Sequence, residues 1–457
     1  MKISFVIPAI GKMPRGRYIR AWQMEPLAIA QLAALTPEDI EVELLDDRLE
    51  DIEYDRPTDL VAISVETYTA RRAYQIAHHF RRRGKTVVMG GFHATLCPDE
   101  VAQHADSVVI GEAEGVWQKV LDDFRAGSLK KRYKKAIRLS DYDIIPRRSI
   151  YRGKDYLPIT LLEAGRGCKF RCDFCAIHQV FERRHGKRKI STVIRDIRSL
   201  KDKKRLLFFV DDNICSNKRY AKELFEALIP LGIRWVGQAD ITAAYDDELL
   251  QLMYKSGCQG VLVGMESLDR EVLARMNKSF NAARLTPEQA VRKFHRHGLR
   301  LYLTFLFGYG KDSPEQTRRI LDFCMRNKIF MAGFNHLTPF PGTTLFQTLQ
   351  KEQRLLFDKW WLHPDYRYGT IPFQTEVDPH QVEQLSQYAR RQFYSLKSIL
   401  YRMTNPTNIR GAKMFFAYLL INFLLRNDQA LRMQFPLGDP NDIDPVHTPV
   451  NTTSCMS

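Results

Sequence analysis

The sequence predicts an α/β protein with an N-terminal doubly wound (flavodoxin-like) parallel sheet, a partial (βα)6 barrel of the TIM type, and a mainly helical C-terminal region. Two observations carry this prediction. Short apolar segments recur along residues 1–125 and again from residue 158, without alternation, which indicates strands buried on both faces of a sheet. Helical patterns separate these segments, as the crossovers of parallel sheets require. A chain of 457 residues also exceeds the size that one core serves, so we expect several domains.

The first predicted domain, residues 1–130, alternates strands with helices. Strands are predicted at residues 3–8, 42–45, 60–65, 86–89 and 107–110, and helices at residues 25–35, 70–83 and 115–124. Ligands of doubly wound sheets bind at the carboxyl ends of the strands. Glycines follow two of these strands, at Gly90-Gly91 and at Gly111, and let a bulky ligand approach the backbone.

Residues 131–157 are polar and basic, and we predict that they link the first domain to the second. The second domain, residues 158–350, has predicted strands at residues 158–163, 206–210, 235–238, 260–264, 301–307 and 334–338. Six strand–helix units make an open barrel, because a closed one needs eight. We expect the active site at the carboxyl ends of these strands.

The remaining residues are predicted to form a helical C-terminal domain, 351–435, and a disordered tail, 436–457, which is rich in Pro, Asp, Asn and Thr. The run Met414–Leu425 is apolar nearly all round and too short to span a bilayer. It is predicted to be either a buried core helix or an interfacial helix that contacts a membrane or covers a hydrophobic substrate.

Lysines and arginines outnumber acidic residues by 69 to 53, and the net charge is +16. This balance suits nucleic acid, a membrane surface or an anionic substrate. We do not expect nucleic acid as a partner, since no RNA-modification module is evident in the sequence. The N-terminus lacks the pattern of a signal peptide, so a cytoplasmic location is expected, with peripheral membrane contact as a further hypothesis.

Three of the eight cysteines, Cys168, Cys172 and Cys175, lie within eight residues directly after the first predicted barrel strand. Three thiolates at this spacing can hold three irons of a cubane cluster and leave the fourth iron open to a ligand. The alternative is a zinc site with His178 as the fourth ligand. Zinc motifs usually pair two separated ligand couples, and here there is one compact triple.

This loop, with Phe174 before its last cysteine, resembles the signature of the radical S-adenosylmethionine superfamily. The resemblance implies a [4Fe–4S] cluster that cleaves S-adenosylmethionine to methionine and a 5′-deoxyadenosyl radical, and an electron donor such as flavodoxin or ferredoxin. It also implies S-adenosylmethionine contacts at the barrel strand ends, where the candidates are Asp211, Asp212, Gln238, Gly264 and Glu266. A helix N-cap is the other interpretation of Asp212. Two further strand-end residues, Tyr309 and His336, are the candidate catalytic residues.

A doubly wound domain before such a barrel resembles the cobalamin-binding radical enzymes, and the likeness covers nearly the whole chain. It implies cobalamin, with candidate contacts at Thr67, Tyr68, Gly90, Gly91, His93, Gly111 and Glu112. One departure is that residues 8–14 lack the histidine of the D-x-H-x-x-G cobalamin-ligand motif. His93 is then either a substitute ligand or a turn residue at the end of its strand.

The leading prediction is a cobalamin-dependent methyltransferase that acts on an unactivated carbon or phosphorus of a small or lipid-like biosynthetic intermediate. One alternative is a radical enzyme with a vestigial cobalamin domain that catalyses a cyclisation, an oxidation or a rearrangement. Another, from a different class, is a zinc-stabilised binding protein.

Overall fold

A computed structural model describes residues 1–12, 23–181, 185–202, 205–427 and 434–444. The chain forms two compact units. The first contains residues 1–161, 357–368 and the described residues from 434 onward, and the second contains residues 162–356 and the described residues of 369–433. The predicted C-terminal domain therefore contributes to both units.

The first unit is built on six parallel strands, which are β1 (Lys2–Ile7), β2 (Glu41–Asp46), β3 (Leu60–Ser64), β4 (Thr86–Gly90), β5 (Ser107–Ile110) and β6 (Arg132–Lys134). Their order is β2-β1-β3-β4-β5-β6, a doubly wound arrangement of the flavodoxin type. Its helices are α1 (Leu27–Leu35), α2 (Ala70–Arg82), α3 (Phe92–Leu96), α4 (Pro98–His104) and α5 (Trp117–Arg125). The predicted doubly wound sheet is confirmed.

Residues 131–157 extend this unit, where the sequence analysis predicted a linker. The strand β6 pairs with β5, and the side chains of Tyr133 and Tyr151 are buried in the core of the unit. Burial of these two aromatic rings explains why an otherwise basic segment is held against the sheet. The predicted disordered tail also differs in part, because Gly438 pairs with Gly11 and the Gln75 side-chain amide donates to the carbonyl of Asp439 at 2.7 Å. The rest of that tail, from residue 445, lies outside the described residues.

The second unit begins at the end of β7 (Ile159–Leu162), followed by a short antiparallel pair, β8 (Gly165–Arg166) and β9 (Gly186–Lys187). The other barrel strands are β10 (Leu206–Phe209), β11 (Arg234–Ala239), β12 (Cys258–Glu266), β13 (Arg300–Phe307) and β14 (Met331–His336). The sheet order is β14-β13-β12-β11-β10-β7, and each strand pairs in parallel with the next along the chain, as the predicted six-stranded partial barrel requires.

Helices cover the outside of this open barrel. They are α6 (Ile177–Val180), α7 (Ile190–Ser199), α8 (Lys218–Leu228), α9 (Asp247–Lys255), α10 (Arg270–Arg275), α11 (Pro287–Arg296), α12 (Pro314–Arg326) and α13 (Thr344–Lys351), followed by α14 (Pro379–Phe393), α15 (Leu396–Met403) and α16 (Ala412–Asn427). Within the described residues, no helix has both the length and the apolarity that crossing a bilayer requires.

Candidate active site

The three clustered cysteines lie on the segment between β8 and α6, which we call the cluster loop (residues 167–176). Backbone groups tie this loop to the barrel: the Lys169 N–H donates to Ser216 Oγ at 2.9 Å, and the Asp173 N–H donates to the Met276 carbonyl at 3.3 Å. The Cys175 N–H donates to the Cys172 carbonyl at 3.2 Å, which closes a tight turn. The loop thus carries its cysteines at the carboxyl end of the first barrel strand, where barrel active sites lie.

The chemistry of this loop fits a cubane cluster. All three cysteines are free thiols, and Phe170 of this loop stacks on Phe280 with 3.6 Å between ring centroids. Burial raises the pKa of Cys172 to about 11, so this thiol must lose its proton when it binds iron. Among the described residues, no three His, Cys, Asp or Glu side chains converge as ligands of one metal ion would. A cubane needs no such convergence, since each thiolate binds a different iron.

Asp211 and Asp212 follow β10, and their carboxylates hold the backbone between β7 and the start of the cluster loop. Asp211 Oδ2 accepts the Ala164 N–H at 2.9 Å, and Asp212 Oδ2 accepts the Gly167 N–H at 2.7 Å. Desolvation raises the pKa of both groups, that of Asp212 to about 6. Each of these predicted S-adenosylmethionine residues therefore has one oxygen bound to the protein backbone.

Asn213 belongs to the site, although the sequence analysis did not include it among the site residues. Its side-chain amide lies 3.5 Å from Cys168 Sγ and donates to Asp240 Oδ2 at 2.9 Å. Asp240 also accepts the backbone N–H of Thr242 at 2.8 Å, so the carboxylate is held in place. The amide is thus positioned to donate to the sulfur of a cluster ligand, a contact that tunes iron–sulfur potentials.

Glu266 forms a buried ion pair with Lys278, a residue that the sequence analysis missed. The Lys278 ammonium lies 2.6 Å from Glu266 Oε1, and both side chains are about nine-tenths buried. Glu266 has a φ of +63°, next to a register shift between β12 and β13. A Cβ at position 264 would lie 2.0 Å from Glu266 Oε1 and 2.7 Å from Lys278 Nζ, so a larger residue there would displace the ion pair. The pair offers both a carboxylate and an ammonium to a zwitterionic ligand such as S-adenosylmethionine.

The other predicted barrel residues are placed as follows. Gln238 is half-buried near the end of β11. The hydroxyl of Tyr309 donates its one proton to the Asp173 carboxylate and also lies within hydrogen-bonding distance of the Arg275 carbonyl, so Tyr309 braces the cluster loop. His336 Nδ1 lies 2.6 Å from the Gly369 carbonyl, and its Nε2 is buried without a hydrogen bond to described residues. Burial lowers the pKa of His336, which favours the neutral imidazole.

A cavity of about 530 Å³ opens beside the cluster loop. Its lining combines apolar side chains, among them Leu337, Leu345 and Phe373, with polar and charged ones, which include the guanidinium groups of Arg171 and Arg275 and the carboxylates of Asp173 and Glu352. Arg275 is paired with Glu376 at 2.7 Å, whereas Arg171 is exposed and makes no ion pair to described residues. A cavity of this size and polarity suits an organic substrate with an anionic group.

In the first unit, glycines keep the strand ends bare. Gly91 has a φ of +105°, and a Cβ there would lie 2.8 Å from the Val65 carbonyl oxygen, so only glycine fits. Gly111 has a φ of +80°, and no atom lies within 4 Å of where its Cβ would be. Gly90 directly precedes Gly91, and Glu112, which is half-buried, directly follows Gly111. These ends fit a large flat ligand such as cobalamin, which must approach the backbone closely.

Three other predicted cobalamin residues are engaged within the first unit. The ring of Tyr68 packs on Trp360 and Tyr368, with centroids 5.1 and 5.0 Å apart. His93 is fully buried, and its Nδ1 lies 3.3 Å from Thr67 Oγ1. Both Tyr68 and His93 thus contact neighbours from the same unit.

The second ring nitrogen of His93 meets Glu100, which is the centre of a polar network. Nε2 of His93 lies 3.0 Å from Glu100 Oε1, which also accepts from Tyr74 at 2.8 Å and from Trp361 at 3.0 Å. Burial alone would raise the pKa of Glu100, but these hydrogen bonds and the Lys359 ammonium outweigh it and lower the pKa to about 2. Both nitrogens of His93 are therefore occupied by protein groups.

Comparison with known proteins decides the family. Residues 162–324 match the radical SAM superfamily, and residues 21–121 match the B12 binding domain. The bacteriochlorophyllide d C-12(1)-methyltransferase of Chlorobaculum tepidum is 32% identical over 76% of this chain and 78% of its own length. The bacteriochlorophyllide d C-8(2)-methyltransferase of the same organism is 30% identical over 84% and 88%.

The chain belongs to the cobalamin-dependent radical S-adenosylmethionine methyltransferases. Among solved structures, the cobalamin-dependent radical enzyme OxsB gives a TM-score of 0.65 at 15% identity, covering 94% of this chain and 71% of OxsB. The radical methyltransferase TsrM from Kitasatospora setae, with cobalamin and a [4Fe-4S] cluster bound, gives 0.58 at 19% identity, covering 77% and 78%. These two structures confirm the fold. The predicted enzyme class and its cofactors, the [4Fe–4S] cluster, S-adenosylmethionine and cobalamin, are confirmed, and the zinc-stabilised binding protein is set aside.

Proposed function

We propose that this methyltransferase acts on an unactivated carbon of a substrate with a large apolar body and an anionic group. The cavity beside the cluster loop carries the proposal, because it combines apolar walls with the exposed guanidinium of Arg171. Apolar walls favour a carbon skeleton, and arginine binds carboxylate or phosphate oxygens in a bidentate manner.

The names of the relatives support the same class of substrate. The two relatives with 30% identity or more are named for bacteriochlorophyllide d, and a relative from Rhodopseudomonas palustris at 22% identity is named hopanoid C-2 methylase. We infer that this chain takes a substrate of the same broad kind, a biosynthetic intermediate that is mostly carbon skeleton. The carboxylate-binding arginine favours an acid over a neutral lipid.

The chain's own residues hold the reactants in place. When bound, the cluster, S-adenosylmethionine and cobalamin supply the radical and the methyl group. Asp211 holds the backbone at Ala164, Asp212 holds the first residue of the cluster loop, and the Glu266–Lys278 pair is suited to the charged groups of S-adenosylmethionine. Tyr309 positions the cluster loop through its hydroxyl. His336 is a candidate proton acceptor, because its buried Nε2 has no hydrogen-bond donor among the described residues.

The test compares substrates and one arginine variant. The reconstituted enzyme is offered a chlorin with a free carboxyl group, the methyl ester of the same chlorin, and a neutral hopanoid. We expect the acid to be converted to a product that is heavier by one methyl group. In Arg171→Gln, the KM for the acid should rise about tenfold, as loss of a charged hydrogen bond would cause. Arg219→Gln is the control, since Arg219 is highly exposed on α8. Equal methylation of acid and ester, or a product of unchanged mass, would contradict the proposal.

We further infer that the electron donor is an acidic protein of the flavodoxin or ferredoxin kind. Lys169 and Arg171 are exposed on the cluster loop on either side of Phe170, close to where an electron must enter. Opposite charges on the donor would speed its encounter with this loop, in a salt-dependent way. We expect Lys169→Glu to slow reduction of the cluster by flavodoxin but not by dithionite, and an equal rate with flavodoxin would contradict the inference.

A further inference from the structure

The C-terminal helix α16 has an apolar side that the described part of the chain leaves exposed. Phe416, Leu420, Phe423 and Leu424 expose 67%, 61%, 41% and 58% of their surface. These positions follow helical spacing and share one side of the helix. The sequence analysis offered a buried core helix or an interfacial helix, and within the described residues only Tyr418 and Asn422 of α16 are buried.

The opposite side of α16 is firmly attached to the second unit. The Tyr418 hydroxyl donates to the Ile399 carbonyl at 2.7 Å, and the buried guanidinium of Arg402 donates to Asn422 Oδ1 at 3.0 Å. Tyr418 also packs on Phe330 with 5.5 Å between ring centroids. The attached side fixes which side of α16 faces outward, so the exposed apolar row is a consequence of the fold and not of a loose helix.

The sequence segment that contains this helix carries charge of one sign. Between Glu383 and Asp428 the sequence contains no acidic residue, and it contains seven basic ones: Arg390, Arg391, Lys397, Arg402, Arg410, Lys413 and Arg426. Lys413 lies one turn before Phe416 on the same side of α16, and Arg426 lies at its far end. On the adjoining helix α15, Leu396 and Leu400 expose 49% and 56% of their surface beside the exposed Lys397.

We propose that α16 lies in the plane of an anionic membrane surface, with its exposed apolar side in the lipid and its lysines and arginines at the headgroups. The helix has 16 residues, so it is about 24 Å long and shorter than the roughly 30 Å hydrocarbon core of a bilayer. Binding of a helix to a membrane surface strengthens with the apolar area that it buries in the lipid and with its electrostatic attraction to anionic headgroups. The proposal is independent of the substrate proposed above.

A second copy of the chain is the main competing occupant, and the charges disfavour it. In a two-fold symmetric contact the same surface meets itself, so the basic residues Lys397, Lys413 and Arg426 of one copy would be brought against the same basic surface of the other. No carboxylate of this segment is available to pair with them, and the chain carries a net charge of +16. Binding of the protein to an anionic bilayer, in contrast, strengthens about fivefold for each cation that lies near the bilayer surface.

Vesicle flotation of the purified, cluster-loaded enzyme tests the proposal. The probes are vesicles of phosphatidylcholine alone and of equimolar phosphatidylcholine and phosphatidylglycerol. We expect flotation with the anionic vesicles, weaker binding to the neutral ones, and a decrease as salt is raised. The variant Phe416→Ser/Leu420→Ser/Leu424→Ser should bind at least about tenfold less, and Lys413→Glu/Arg426→Glu should lose binding to anionic vesicles by a similar factor.

The matched control is Ile229→Ser/Leu356→Ser, which removes two exposed apolar side chains elsewhere in the second unit and should leave binding unchanged. Iron content and thermal unfolding show that each variant is folded. Flotation that is equal for the wild type and the apolar triple variant would overturn the proposal. So would a wild-type dimer that binds no vesicles and becomes a monomer in the triple variant by light scattering, because that outcome assigns the surface to a second copy.

Discussion

The strand ends of the two units differ in how they prepare a ligand site. In the first unit the ends are bare glycine backbone at Gly91 and Gly111, and the nearby polar side chains, such as His93 and Glu100, are bonded to one another. In the second unit, carboxylates at the strand ends accept backbone N–H groups, and that of Asp212 accepts the first N–H of the cluster loop. The first unit can therefore bind by shape and backbone contact, whereas the second depends on placed charges.

The difference implies that the cysteines serve only the second unit, and their removal should give the largest effect. We expect Cys168→Ala/Cys172→Ala/Cys175→Ala to lose its iron and all release of 5′-deoxyadenosine, because no thiolate remains to hold the cluster. Cobalamin binding should persist, since the first unit has its own core. Iron, sulfide and cobalamin quantification measures this, with Cys97→Ala as the control. If cobalamin were lost together with iron, the cysteines would support the first unit as well, and the two units would not prepare their ligand sites independently.

A smaller but substantial effect is expected at the buried ion pair of the second unit. Lys278→Met leaves the Glu266 carboxylate buried without its partner, which costs on the order of 3 to 5 kcal/mol of unfolding free energy. Glu266→Gln/Lys278→Met should recover a large part of that loss, since no charge stays buried. Thermal unfolding of the two variants measures the coupling. Equal destabilisation in both would show that the pair does not act through its charges.

The sequence predicted both sheets well because each buried strand carries its own signal. It also predicted the cysteines, since three thiols at short spacing are rare without a metal. The contacts that place Lys278 against Glu266 could not be predicted, because they join residues twelve apart across an irregular strand end. The sequence also could not show that the aromatic segment with Trp361 belongs to the first unit. Hydrophobic periodicity indicates secondary structure, but it does not indicate which distant part of the chain a segment packs against.

A pH-dependent effect should separate the first unit from the second. His104 stacks on Tyr74 with 3.9 Å between ring centroids, and burial lowers its pKa from 6.5 to about 4. The unfolded chain then binds this proton more readily, so stability that is present above pH 6.5 is lost as the pH falls toward 4. We expect a loss on the order of 2 kcal/mol across this range.

Urea unfolding followed by tryptophan fluorescence measures this loss. Of the five tryptophans, four lie in the described residues: Trp117, Trp360 and Trp361 report on the first unit, and Trp235 on the second. His104→Gln should flatten the pH dependence of the first unit. The control is His295→Gln in the second unit, where burial also lowers the pKa to about 4. If the unfolding free energy of the first unit still depends on pH in His104→Gln, that dependence belongs to another titratable group.

The smallest expected change concerns the metal of cobalamin. If the first unit binds by shape and backbone, His93 is a structural residue and His93→Gln leaves the cobalt environment unchanged. Both ring nitrogens are occupied, at 3.0 Å from Glu100 Oε1 and 3.3 Å from Thr67 Oγ1, and the ring is fully buried. A cobalt ligand would have to break one of these contacts and leave Glu100 with one donor fewer in a buried site, at a cost of about 1 to 3 kcal/mol.

Electron paramagnetic resonance of the cobalamin-loaded protein, reduced to the Co(II) state, resolves the question through splitting by a nitrogen ligand. We expect identical spectra for the wild type, His93→Gln and the control His104→Gln; a nitrogen splitting that disappears only in His93→Gln would make His93 a ligand and remove the distinction between the two units at this strand end.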